Sequence, residues 1–247
     1  MDPKTNTIVR DGKQAVINPF DASALEVALQ MKDAASAADP VEVTALSMGI
    51  PATEALLRDC IARGADGGLL LSDRAFAGAD TLATTYALSC GVTALGGTPD
   101  LVICGKMAVD GDTAQIGPEL AGALDVPCVT DVTEVLSLND GVLRLRHNAD
   151  AGAETVEVRL PAVITVSKDV AQLRLPSIAG IRAAQAVQID VLTAQTSKAN
   201  VTRCGLAGSP TQVVRSFVPE RNHECVPVDG TPAQQAAQLI SIVGEMD

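Results

Sequence analysis

A short apolar run followed by a helical pattern occurs three times in the first half of this chain, and that repeat leaves few folds open. VEVTALSMG (41–49) ends in Gly49 and leads into PATEALLRDCIARGAD, where Pro51 suits a first helical turn and Gly64 a C-terminal cap. GLLLSD (68–73) leads into AGADTLATTYALSCGVTAL (77–95), with helical spacing at Leu82, Tyr86 and Cys90. LVIC (101–104) is followed by a glycine-rich loop and then by the helical IGPELAGALD. Strands this apolar, with no polar alternation, need cover on both faces, as in a parallel sheet with helices above and below. The expected class is α/β, a Rossmann-like, doubly wound and mostly parallel sheet.

Beyond Val126 the texture changes. CVTDVTEVLSL, GVLRLRH and TVEVRLPAVITVSK alternate more, and Asn139-Asp140-Gly141 between the first two is a hairpin signal. These strands are expected to extend the sheet or to form a small antiparallel layer. LPSIAGIRAAQ (175–185) reads as a short helix or an ordered loop, QIDVLTA as a further strand, and TPAQQAAQLISIVGEMD as a closing helix. The opening MDPKTNTIVRDGKQAVINPFD is polar and turn-like where a doubly wound fold has a buried strand, so a first strand is expected to be missing.

The 247 residues suffice for one large α/β domain, or a domain plus an arm. A formal charge of −12 with no basic patch argues against nucleic acid or an anionic bilayer as partner. Six widely spaced cysteines with no CxxC pair, and only two histidines, predict reduced thiols in a cytoplasmic protein and no metal site. No apolar run reaches the roughly 18 residues that a membrane helix needs, and no signal-peptide pattern opens the chain. His147 and His223 read as surface residues, and no Ser/His/Asp order suggests a catalytic triad.

Two stretches remain as candidates for chemistry. CGKMAVDGDTAQIGPE (104–119) holds Gly105, Gly111 and Gly117, through which backbone could approach a ligand. Lys106 could offset phosphate charge, Thr113 and Gln115 could donate hydrogen bonds, and Asp110 and Asp112 suit ribose or helix caps better than phosphate. The position, after an apolar strand and before a helix N-terminus, is where doubly wound sheets bind ligands. The loop matches neither standard phosphate motif, so spacing alone leaves it either a nucleotide loop or a structural turn. NPFDASALEVALQMKDAA (18–35) reads as a helix capped by Asn18 or Asp21, with the rare aromatic Phe20 at its entry either in the core or facing a ring-shaped ligand.

NPFDASALEVAL, VTALSMG with the following ARGAD, CGKMAVDGDTAQIGPELAGALDVPCVT, and RLPAVITVSKDVAQLRLPSIAGIRAA stand in the order and spacing of the electron-transfer flavoprotein beta subunit, which this sequence resembles over residues 8–190. The resemblance implies a Rossmann-like domain of the adenine-nucleotide alpha-hydrolase type over residues 1–190. It also implies a C-terminal arm and helix over 191–247 that contact an alpha subunit. It implies an electron carrier without catalytic residues of its own, in a heterodimer whose alpha subunit holds FAD. The beta subunits bind AMP or, in bifurcating members, a second FAD. The matching positions are Asn18, Pro19, Phe20, Asp21, Met48 and the loop residues Gly105, Lys106, Asp110, Gly111, Asp112, Thr113, Gln115 and Gly117, with Phe20 near the partner's flavin. Leu175, Pro176 and Ile178 match the family's docking loop for an acyl-CoA or other flavin dehydrogenase, and the acceptor would be a quinone oxidoreductase or ferredoxin. Members begin about two dozen residues earlier with a strand that this chain lacks, which implies a truncated or misassigned start. The alternative is a stand-alone adenine-nucleotide-binding protein of the same broad fold.

Overall fold

The computed structural model describes residues 15–214, Phe217 and residues 227–244; the polar opening and His223 lie outside them. The described residues form two units, a body running to Val213 and a second unit from Val214 onward. In order, the body carries α1 (Pro19–Ala34), β1 (Thr44–Met48), α2 (Glu54–Arg63), β2 (Gly67–Leu71), α3 (Thr81–Ala94), β3 (Leu101–Gly105), α4 (Ile116–Leu124), β4 (Cys128–Asn139), β5 (Val142–Ala149), β6 (Gly152–Arg159), β7 (Ala162–Val166), α5 (Ile178–Ala186) and β8 (Asp190–Leu192). The second unit carries α6 (Pro232–Gly244), whose Leu239, Ile240 and Val243 are exposed. β8 pairs with β2, and the body runs to Val213.

The three expected βα units are present, and their strands pair in parallel as the apolar pattern requires. Among the described residues, however, they form two sheets rather than one: β1-β2-β8, all parallel, and β3-β7-β4-β5-β6. β3, β7 and β4 are parallel, and β4, β5 and β6 continue that sheet as an antiparallel extension. Apolar patterning shows that a strand is covered, but not which strand lies beside it. The hairpin signal holds, since Asn139 pairs with Val142 and the two residues between them, Asp140 and Gly141, have φ of 49° and 71°. Both are in the left-handed region that a tight hairpin turn uses.

Successive residues of a strand point to opposite faces, so β2 reads out the layers on both sides of its sheet. Leu70 packs with Leu57 and Ile61 of α2 and Ala184 of α5, whereas Leu71 packs with Ala87 of α3. In the other sheet Ile164 and Val166 join Ala24 of α1, while Thr165 meets Gly117 of α4. Both sheets are thus covered on both faces, which is the doubly wound arrangement. α3 does not bury the Leu82, Tyr86 and Cys90 face suggested by their spacing. Leu82 is exposed, and the buried residues are Ala83, Thr85, Ala87, Gly91 and Val92. The helix turns its small residues inward because the core comes very close: a side chain at Gly91 would lie 3.0 Å from Leu71 and 3.1 Å from Leu46.

Several carboxylates fasten these layers. Backbone N–H groups of Ala75 and Ala194 hold the Asp73 carboxyl below its ordinary value of 3.8. Burial pushes Asp66 up, but Lys32 and the Val43 N–H outweigh it and hold that group low as well. Carboxyls with a lowered pKa in the fold contribute stability that is complete above 3.8 and is lost as pH falls through the folded values. The urea midpoint is therefore expected to stay level from neutral pH to about 5 and to drop steadily below 3.8; a midpoint that rises on acidification would contradict these contacts.

Candidate functional site

The end of β3 and the start of α1 meet in a clasp. Asn18 is the N-cap of α1, yet its side chain makes no capping bond to the helix. Its Nδ2 donates to the Met107 carbonyl at 2.9 Å and to Asp21 Oδ2 at 2.8 Å, and its Oδ1 accepts from the Val109 N–H at 3.2 Å. Asp21 Oδ1 accepts from the Gly105 N–H at 2.8 Å. The two residues expected to cap the helix are instead spent on the glycine-rich loop, fixing residues 105–109 to the first turn of α1. Close approach is possible because residue 105 is glycine: a Cβ there would lie 2.6 Å from Phe20 Cβ and 2.7 Å from the Asp21 nitrogen. Phe20 is itself buried, at 8% exposure.

Beyond the clasp the loop opens. Ala108 accepts from the N–H groups of Gly111 and Asp112 at 3.2 and 2.8 Å, and Asp112 and Ala114 take φ of 52° and 54°. Gly111 faces open space, and Asp110, Asp112, Thr113 and Gln115 are exposed. Neither the Thr113 nor the Gln115 side chain has a hydrogen-bond partner among the described residues, and no side chain caps α4 at Gln115. Two free side-chain donors and the Ile116 and Gly117 N–H groups therefore stand at the start of α4, where Pro118 offers none; such helix-start donors suit an anion. Gly117 also packs tightly. A Cβ there would run into Thr165 Cγ2, so this glycine seats α4 on β7.

Lys106 is paired within the fold. Its Nζ lies 2.9 Å from Asp131 Oδ2, and Asp131 also accepts from Ser167 and, at 3.4 Å, from Asn148. The Asp131 N–H donates to Thr165 Oγ1 at 3.0 Å, and its φ of 52° turns β4 where the pairing with β7 shifts. Burial pushes the Asp131 carboxyl up, but Ser167 and Lys106 outweigh it and hold it below its ordinary value. Sequence reasoning missed Asp131, because the only signal was an aspartate inside the strand-like CVTDVTEV. His147 is not the surface residue expected: its side chain is 17% exposed, with Nδ1 buried and without a hydrogen-bond partner among the described residues.

The remaining site residues lie apart from the loop or define its surroundings. Pro19 opens α1 and is exposed, and Met48 ends β1 and packs with Leu71 and Phe76, a different apolar cluster from the clasp. Leu175 and Ile178 are 87% and 75% exposed and, with Ile181 at 45%, form an apolar patch at the start of α5; Pro176 is half-buried between them. The five described cysteines are unpaired, and burial raises Cys60 to about 11 and Cys104 to about 12, so both remain thiols. Among the described residues no cluster could hold a metal ion, and no helix is long and apolar enough to cross a membrane.

The sequence matches the family model described as electron transfer flavoprotein domain over residues 5–197. It is 39% identical over 246 residues to the caffeyl-CoA reductase-Etf complex subunit CarD of Acetobacterium woodii, covering 99% of this chain and 92% of that protein. Protein FixA of Bradyrhizobium diazoefficiens is 38% identical over 247 residues, with 98% and 84% covered. The electron transfer flavoprotein subunit beta of Thermoanaerobacterium thermosaccharolyticum is 42% identical over 220 residues, with 89% and 82% covered.

Proposed function

This chain belongs to the electron transfer flavoprotein family and is similar over nearly its whole length to beta-subunit and FixA proteins; from that premise we propose that it binds an adenine nucleotide and carries electrons together with an FAD-bearing alpha subunit. The observation that supports this most is the clasp, which holds a loop with free donors and an uncapped helix start against the first turn of α1.

The residues fit a nucleotide. The α4 N–H groups with Thr113 and Gln115 would hold phosphate, and Asp110 and Asp112 would accept from ribose hydroxyls. AMP or the adenylate half of a second FAD offers both groups. Lys106, neutralised by Asp131, would fix the loop rather than bind charge. Phe20, Asn18, Pro19 and Asp21 form the wall behind the loop, and Met48 lines the neighbouring strand end. The flavin held by the alpha subunit supplies the redox chemistry; this chain's part is to bind, shape and dock. In that heterodimer it would act as a carrier subunit, and the free cysteines among the described residues suit the cytoplasm.

Docking falls to Leu175, Pro176 and Ile178. A leucine this exposed buys nothing in an isolated fold and serves as an anchor once a partner desolvates it. The donor would be an acyl-CoA or other flavin dehydrogenase, and the acceptor a quinone-linked oxidoreductase or ferredoxin. Leu175→Ala is expected to raise the KM for the heterodimer in reduction by a substrate-reduced acyl-CoA dehydrogenase by about tenfold, a loss of about 1.4 kcal/mol, with nucleotide content unchanged. An unchanged KM would remove Leu175 from the interface, and loss of nucleotide would place it in the fold.

A further inference from the structure

One face of α1 is hydrogen-bonded along its length to the segment that leads into the Leu175 loop. Ser23, 1% exposed, donates from Oγ to the Ala171 carbonyl and accepts from the Ala171 N–H, both at 3.0 Å. One turn on, Glu26 is 5% exposed and accepts from Arg174 three times over, from its N–H at 3.0 Å, from Nε at 3.0 Å and from Nη2 at 2.9 Å. Asp33, two turns further, takes the same Nη2 at 2.8 Å. Arg63 of α2 donates to the Arg174 carbonyl and is itself held by Asp59 at 3.0 Å. The N–H, carbonyl, Nε and Nη2 of Arg174 are thus tied to the body, while the next residue, Leu175, is the exposed one.

The same helix grips the nucleotide loop with its first turn, through Asn18 and Asp21. We propose that Glu26 is a positioning residue: through Arg174 it fixes the docking loop to α1, and thereby in register with the nucleotide loop that α1 also holds. This rests on the proposal that Leu175 docks a dehydrogenase. A buried carboxylate is costly unless it is paired and fully hydrogen-bonded, and a surface loop of few residues does not need such an anchor for packing alone. Burial pushes the Glu26 carboxyl up, but the hydrogen bonds and charge of Arg174 outweigh it and hold the group below its ordinary value of 4.5. The anchor is therefore charged at neutral pH. It is complete above 4.5 and is released as pH falls through the lower folded value.

The test uses the heterodimer with its alpha subunit and compares wild type, Glu26→Gln, Leu175→Ala and the double variant. Two quantities are read: amide hydrogen exchange, and KM and kcat in reduction by a substrate-reduced acyl-CoA dehydrogenase. Glu26→Gln is expected to speed exchange at residues 171–176 about tenfold or more while leaving α1 and β3 unchanged. It is also expected to raise KM several-fold at constant kcat. In the double variant KM should match that of Leu175→Ala alone, because a misplaced loop without its anchor has nothing left to lose. Unchanged exchange at 171–176, a fully additive KM, or a fall in kcat with constant KM would overturn the proposal. If Glu26→Gln lowers the folded yield, Ser23→Ala releases the Ala171 end without stranding a charge, and the same exchange result is required of it. An unchanged KM in Leu175→Ala would sink the docking role itself; the exchange measurement judges the Glu26 anchor separately.

Discussion

Gly105→Ala is expected to strip the purified protein of nucleotide. The added Cβ would stand 2.6 Å from Phe20 Cβ and 2.7 Å from the Asp21 nitrogen and the Phe20 carbonyl carbon. These atoms are backbone or fixed to it, so no rotamer change relieves the overlap. Either β3 and α1 separate, which breaks the Gly105 N–H bond to Asp21, or the loop shifts and the Asn18 bonds to Met107 and Val109 are lost. Overpacking of this kind costs about 1–3 kcal/mol, and every 1.4 kcal/mol of it that falls on the bound state lowers nucleotide affinity about tenfold. Nucleotide extracted per heterodimer should fall sharply, with a smaller drop in thermal midpoint. Full occupancy at an unchanged midpoint would show that the clasp does not set the loop.

Gly117→Ala should destabilise the protein, although alanine in place of glycine within a helix normally gains up to about 1 kcal/mol. The sign reverses because the new Cβ would run into Thr165 Cγ2. Thr165 is held in that orientation by the Asp131 N–H, which donates to its Oγ1 at 3.0 Å. Rotation away from the new methyl would forfeit that bond and loosen the Asp131 turn to which Lys106 is tied. A net loss of about 1–3 kcal/mol follows. Thr165→Ser removes the clashing methyl and keeps the hydroxyl, so the double variant should recover most of the lost stability in urea unfolding. A single variant more stable than wild type, or a double variant no better than the single, would contradict the packing of α4 on β7.

Much of the architecture was legible because it depends on local chemistry. Continuous apolar runs marked β1, β2 and β3, Asp140-Gly141 marked the hairpin, and Gly64 took the helix end with φ of 131°. What stayed hidden depends on residues distant in sequence. Asn18 and Asp21 look like ordinary caps, and only the fold brings Met107 and Gly105 to them, 89 and 84 positions away. The partner of Lys106, Asp131, lies 25 positions away on β4 and is likewise invisible in the loop's own sequence. On α3 the spacing of Leu82, Tyr86 and Cys90 does not reveal that Ala83, Ala87 and Gly91 face the core, a choice set by the neighbouring Leu46 and Leu71. The division into two sheets follows from pairing, which apolar runs do not encode. The Glu26–Arg174 anchor spans 148 positions and left no local trace.

The central claim is that this chain holds an adenine nucleotide and works only with a flavin-bearing partner. Its most direct test is to co-express the chain with an alpha-type subunit of the same family, purify the complex, record its absorbance spectrum and extract its nucleotides. The account predicts a yellow heterodimer with a flavin spectrum and FAD on the partner, and either AMP or a second FAD assigned to this chain. A colourless single subunit that hydrolyses ATP would contradict it.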